Sequence, residues 1–304
     1  MIAISTDENE HIFNAETFEK IKTISGLEES PYWSPDGSKF AYGVDNITKL
    51  CRVDNEEFMF DLHDNNEEVY FVCFSNDGLK VAVLFGNRNL KVWDIISESI
   101  LFTIVPERPE DNIEIDGVDF SFSSDSTKIA FVYNYTQIKT FDSSTGEELL
   151  TINVDCDKII SMRFVNNDHI ILNCKMCDGN DLYVYSVDEK KLYGGSLTNE
   201  LCIENLLGFS HDGTVYLTMS ETKFEIFNVY VNTNDKDLER ISVIQNRKFT
   251  DIYLNHNGTK IACIFKNTVT FFDLITFDQI GKITVESDVD YVEFNTVENN
   301  ASYI

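Results

Sequence analysis

The chain has 304 residues, 52 Asp and Glu against 24 Lys and Arg, and a formal charge of −28 at neutral pH. Hydrophobic residues make up 43% and charged ones 25%, enough apolar material for a large core, which excludes wholesale disorder. The negative charge argues against direct nucleic-acid binding, which demands neutralising Lys and Arg, and equally against an anionic membrane surface.

From the N-terminus, the first ten residues lack the basic and long apolar regions of a signal peptide. No later stretch reaches the roughly 18 consecutive apolar residues of a membrane span. A cytoplasmic or nuclear protein, not a secreted one, is expected. The seven cysteines are odd in number and irregular in spacing, which suits reduced thiols. Cys174-Lys-Met-Cys177 is a single CxxC with no second pair to complete a zinc site, so no metal is expected there.

The first clear element is Trp33-Ser-Pro-Asp-Gly-Ser-Lys-Phe-Ala-Tyr42. It reads as an aromatic anchor, a polar turn and an apolar strand. Variants of the phrase begin at Phe74, Phe122, Phe164, Phe209 and Leu254, and a worn copy begins at Phe294. The anchors are 41, 48, 42, 45, 45 and 40 residues apart. A period of about 40–45 residues marks a four-stranded propeller blade. Asp-Gly between β-rich runs such as Lys39–Val44, Val81–Phe85 and Lys260–Phe265 is a hairpin signal, because Gly accepts positive φ. A second aromatic landmark follows most anchors by 18–21 residues: Trp93-Asp94, Phe141-Asp142, Tyr185-Ser186, Phe227-Asn228 and Phe272-Asp273. The first repeat departs, with Arg52-Val53 at that place.

The ends fit the same period. Ten residues follow Phe294 and 33 run from Met1 to Trp33, together 43. Phe13-Asn14 supplies the landmark of a last blade, Phe18–Ile24 its outer strand and Val289–Phe294 its innermost strand. Ile2–Ser5 and Ala301–Ile304 both suit the second strand, and only one can occupy it.

The Phe-Ser-x-Asp-Gly turns, Trp93-Asp94 with its Phe-Asp relatives, and Ser144-Thr-Gly-Glu147 resemble the WD-repeat β-propeller family over nearly the whole chain. The resemblance implies an all-β fold: one WD40-like domain, residues 1–304, forming a seven-bladed β-propeller of four-stranded antiparallel blades. N- and C-terminal strands sharing one blade would close it and leave no open sheet edge. The family's Gly-His dipeptides are missing, and the histidines stand at 11, 63, 169, 211 and 256. The buried Asp-His-Ser/Thr-Trp network of many such blades is therefore not expected.

In such a propeller the inter-blade loops share one face, and here they are acidic. Glu67, Glu68, Asp111, Glu114, Asp116, Asp155, Asp157, Asp288 and Asp290 are the candidate partner-binding residues, with Asp61 and Asp64 beside them. Arg247 and Lys248 break the pattern. An acidic ring would attract Lys/Arg-rich segments, although each loop taken alone is explained by solubility. Cys177-Asp-Gly-Asn-Asp181 is only a fragment of a calcium loop. No Gly-x-Ser-x-Gly elbow, P-loop, Gly-x-Gly-x-x-Gly or His-Glu-x-x-His occurs. The expected function is a non-catalytic protein–protein interaction scaffold without cofactor, whose acidic face binds basic partner segments. Two alternatives stay open: a constitutive subunit of a translation- or ribosome-associated complex or viral particle, and a lactonase-type propeller enzyme.

Overall fold

The computed structural model describes the chain except for residues 8, 26–30, 45–46, 56, 65–66, 107–118, 178, 195–204, 210–214, 221–222, 230–237, 245–248, 256–257 and 295–304. Between 205 and 244 it describes the strand backbone only. Among the described residues there is no helix, and the strands form seven four-stranded antiparallel sheets. Six sheets use consecutive strands. Their leading strands are Tyr32–Trp33, Val69–Phe74, Phe120–Phe122, Lys158–Phe164, Asn205–Phe209 and Asp251–Leu254. The seventh leads with Val289–Phe294 and continues with Ile2–Thr6, Asn9–Phe13 and Lys20–Ser25. Ile2–Thr6 thus takes the contested second place, and Ala301–Ile304 lies outside the described residues.

The repeated phrase folds through one turn chemistry. The Ser34 hydroxyl donates to Asp36 at 2.6 Å and accepts from the Lys39 amide at 2.9 Å. Asp36 also accepts from the Ser38 amide at 3.0 Å. Ser75 and Ser123 repeat the pattern with Asp77 and Asp125. Burial works against the charge of Asp36, but these hydrogen bonds and Lys39 outweigh it and lower its pKa. The turn needs a left-handed residue, supplied by Gly37, Gly78 and Gly258 at φ 64°, 66° and 64°. In the Phe122 repeat Ser126 holds that place at φ 62°. Its hydroxyl accepts from the Asp77 amide at 3.0 Å, so the serine ties the second sheet to the third. The lysine of the phrase does similar work. Lys80 reaches the Ser126 carbonyl at 3.3 Å, and Lys128 the Asn167 carbonyl at 3.1 Å, each in the next sheet.

The aromatic landmarks end the third strands. A register shift falls immediately before Phe13, Cys51, Trp93, Phe141, Phe227 and Phe272. Such bulges sharpen the local twist of the strands. The Asp or Asn after the landmark caps the turn. Asp142 accepts from the amides of Ser144 and Thr145 at 2.9 and 2.8 Å, and Asp273 from those of Ile275 and Thr276 at 2.8 and 2.9 Å. Four residues past that cap the backbone is left-handed, at Phe18, Glu98, Gly146, Lys190 and Phe277. Phe18 therefore belongs to a turn, and the outer strand begins at Lys20 rather than Phe18.

The core lies between consecutive sheets. Ile129 and Phe131 of the third sheet pack with Ala82 and Val92 of the second. Met162 and Phe164 of the fourth pack with Ala130 and Ile138 of the third. The seventh sheet packs both ways. Ile2 and Ile4 meet Ala262 and Phe271 of the sixth, while Ala3 and Ile12 meet Trp33 and Phe40 of the first. Trp33 and Trp93 are 5% and 4% exposed, as core aromatics should be.

Two glycines separate strain from space. Gly78 and Gly146 are both left-handed, at φ 66° and 72°. A Cβ at Gly78 would meet nothing within 4 Å, whereas one at Gly146 would fall 2.5 Å from Phe102 Cγ. Gly78→Ala should cost about 1 kcal/mol from backbone strain alone. Gly146→Ala should cost about 1–3 kcal/mol more, because the Phe102 ring must move. Thermal or urea denaturation checks this, and equal losses would contradict it.

Candidate functional site

Strand alternation places the residues one and three before each anchor on the same side of their leading strand. These are Tyr32; Phe71 and Cys73; Asp119 and Ser121; Ser161 and Arg163; Asp251 and Tyr253; Tyr291 and Glu293. The leading strands bring them together. Tyr32 stacks edge-on against Phe71 at 5.8 Å. Asp119 accepts the Met162 amide at 3.0 Å, and Ser121 the Phe164 amide at 3.2 Å. Tyr253 meets Tyr291 edge-on at 4.8 Å. Arg163, the one cation at these positions among the described residues, is close enough to bias Asp119, Cys73 and Tyr291. Tyr291 is 36% exposed, and the charge of Glu293 first and burial second hold its hydroxyl well above its ordinary pKa.

Carboxyl groups here hold their protons tightly. Burial pushes Glu293 up to about 8, helped by the charge of Glu10. Burial pushes Glu10 up to about 7, against hydrogen bonds from Ser5 and Trp33 that favour its charged form. Ser5 donates to Glu10 Oε2, while Oε1 has no partner of hydrogen-bonding geometry. The two carboxyls share a face of the seventh sheet, since Ala3 pairs with Glu293 and Ser5 with Glu10. Burial also raises Asp119 and Asp251. A cation entering this cluster would convert carboxyl to carboxylate and release protons. Burial likewise pushes the Cys73 thiol up to about 11 and makes it a poor nucleophile.

In each antiparallel sheet the start of the leading strand, the turn between second and third strands and the end of the fourth lie at one end. The sequence-derived acidic residues fall there. Glu68, Asp155, Asp157, Asp288 and Asp290 are exposed and Glu67 is half-buried. Asp111, Glu114 and Asp116 lie outside the described residues, as do Arg247 and Lys248. Asp7, Asp288 and Asp290 gather: burial raises the pKa of Asp290, and the charges of Asp7 and Asp288 add to it.

Two readings need correction. Asp64 is 4% exposed and pairs with Lys91 at 2.9 Å, so it braces the second sheet instead of facing a partner. Asn87 and Asn89 also donate to it, at 3.1 and 3.0 Å. Asp61 sits within the strand Phe58–Leu62 and Asp290 within Val289–Phe294, neither in a loop. The same end also carries Arg88, Lys158, Lys175 and Lys266, so it is acidic in balance and not a purely acidic ring. Sequence reasoning missed these cations by weighing only the inter-blade loops. It also missed Glu10 and Glu293. Their signal was faint, because Asn9–Phe13 and Val289–Phe294 mix polar and apolar residues and only the register shows which way each glutamate faces.

Among the described residues no three His, Cys, Asp or Glu side chains gather closely enough to hold a metal ion. Among the same residues no helix is long and apolar enough to cross a membrane.

The raised carboxyls give a sign to the pH dependence. Glu10 and Glu293 keep protons in the folded state that the unfolded chain loses near pH 4.5. The stability they give is complete below that pH and is lost as pH rises through about 7 and 8. Asp36, Asp94, Asp142 and Asp273 act oppositely, because their lowered pKa values give stability that acid removes. Stability should therefore peak in mildly acidic solution and fall by a few kcal/mol towards pH 8. Glu10→Gln with Glu293→Gln should flatten that fall in denaturation series across pH. An unchanged slope in the double variant would contradict the assignment.

No protein-family model matches this chain, and no curated protein matches it.

Proposed function

We propose that the seven sheets are the blades of a WD-repeat-like, seven-bladed β-propeller, closed where N- and C-terminal strands share a blade. We further propose that it is a non-catalytic platform for protein segments rich in Lys and Arg. The repeated turn chemistry supports the fold, as does the packing of the seventh sheet on both the sixth and the first. The function rests on one observation: Asp7 and Asp288 lie close enough to bias Asp290, whose carbonyl is 3.5 Å from the Tyr253 hydroxyl, and Tyr291 meets that ring edge-on. A Lys or Arg from a partner relieves that repulsion and packs its stem on the rings. The net charge of −28 steers such a segment inward at low salt. In this reading the protein works in the cytoplasm or nucleus, without cofactor and without direct contact to nucleic acid or membrane.

A fixed subunit of a larger assembly is the second reading. It is favoured by Ile96 and Ile275, which stand at the same turn position and are 76% and 78% exposed.

Affinity capture from native lysate at low and moderate salt separates the two. Basic proteins should be retained at low salt, released at moderate salt and reduced several-fold by combined Asp7→Asn, Asp288→Asn and Asp290→Asn. Salt-resistant partners in fixed proportion, indifferent to the triple variant, would overturn the platform reading and favour the subunit.

A further inference from the structure

The CxxC of the sequence does not act as a pair in the fold. Cys174 lies in the second strand of the fourth sheet, His169–Met176, and is fully buried. Cys177 lies past the end of that strand, exposed, with its thiol 3.8 Å from Asp157. The neighbour of Cys174 is instead Cys156, in the segment that leads into the fourth sheet. Cys156 is half-buried and packs against the core cluster that contains Cys174. The two thiols are close enough to share a hydrogen bond. The backbone holds them in place: Cys174 pairs with Ile159, and the Asp157 amide donates to the Lys175 carbonyl at 3.0 Å. Neither is in a disulfide in the structure.

We propose that Cys156 and Cys174 form a reversible disulfide, a redox site whose oxidant is a low-molecular-weight disulfide. Cys156, the partly accessible thiol, loses its proton and attacks one sulfur of the oxidant. The oxidant's S–S bond breaks, one thiolate leaves, and a mixed disulfide remains on Cys156. Cys174 then loses its proton and attacks Cys156 Sγ, and the second thiolate leaves. Two electrons pass from the cysteine pair to the oxidant, and the two protons lost are taken up by the two released thiolates. Cys156 is raised above its ordinary pKa by burial, so the first step is slow at neutral pH and quickens as pH rises. Cys73 and Cys263 do not compete, because burial pushes their thiols up to about 11 and 12. The bridge fastens the segment that carries Asp155 and Asp157 to a core strand. It does not depend on the partner reading above.

The test treats the folded protein with glutathione disulfide. Remaining thiols are blocked with a maleimide under denaturing conditions, and the digest is mapped by mass spectrometry before and after reduction. The expected product joins the Cys156 peptide to the Cys174 peptide, is reversed by dithiothreitol and persists in Cys177→Ser. Cys156→Ser should abolish it while keeping the wild-type circular dichroism spectrum. If that variant fails to fold, the wild-type and Cys177→Ser maps decide alone. A Cys174–Cys177 link, a link to any other cysteine, a glutathione adduct left on Cys156, or two unmodified thiols would each overturn the proposal.

Discussion

Strand Ile2–Thr6 hydrogen-bonds to Val289–Phe294 on one side and to Asn9–Phe13 on the other. The rest of the arrangement depends on that pairing. It joins the two most distant parts of the described chain. Such non-local pairing carries a large loop-closure cost. Its return is burial on both faces: Ile2 and Ile4 against the sixth sheet, Ala3 against the first. The same strand seats the two unusual carboxyls, because Ser5 bonds Glu10 and Ala3 lies opposite Glu293.

The charge of the chain is not distributed evenly in kind. At the turn end of the sheets, Asp94, Asp142 and Asp273 accept amide hydrogen bonds that favour the ionised form. Along the leading strands, Glu293 and Asp119 are enclosed and Asp251 is partly buried, and burial favours the proton at each. Formal charge therefore overstates the charge that Glu10 and Glu293 carry at neutral pH. It also means that a cation bound there would draw protons off the protein, and that affinity would rise with pH.

The sequence makes most of the fold legible because the fold repeats. Ser34, Asp36, Gly37 and Lys39 each have a structural task that recurs at fixed offsets from an anchor, so period and chemistry agree. The expected strands Lys39–Val44, Lys260–Phe265 and Val289–Phe294 coincide with the observed ones. The site was less legible for a physical reason. An acidic residue in a loop and one inside a sheet look alike in sequence, yet Asp64 is neutralised by Lys91 while Asp288 is exposed. Glu10 stands in a strand of mixed polarity, Asn9–Phe13, and only the register shows what it faces. The CxxC misleads similarly, since Cys174 and Cys177 are close in sequence but Cys156 is the thiol that Cys174 meets.

Native-state hydrogen exchange of the Ile2–Thr6 amides tests the closing pairing most directly. If the strand holds the ends of the chain together, its bonded amides exchange only through global unfolding, with protection equal to that of buried strands such as Lys128–Asn134. Exchange of Ile2–Thr6 at the rate of the exposed turns, while Lys128–Asn134 stays protected, would show that the ends do not close the fold.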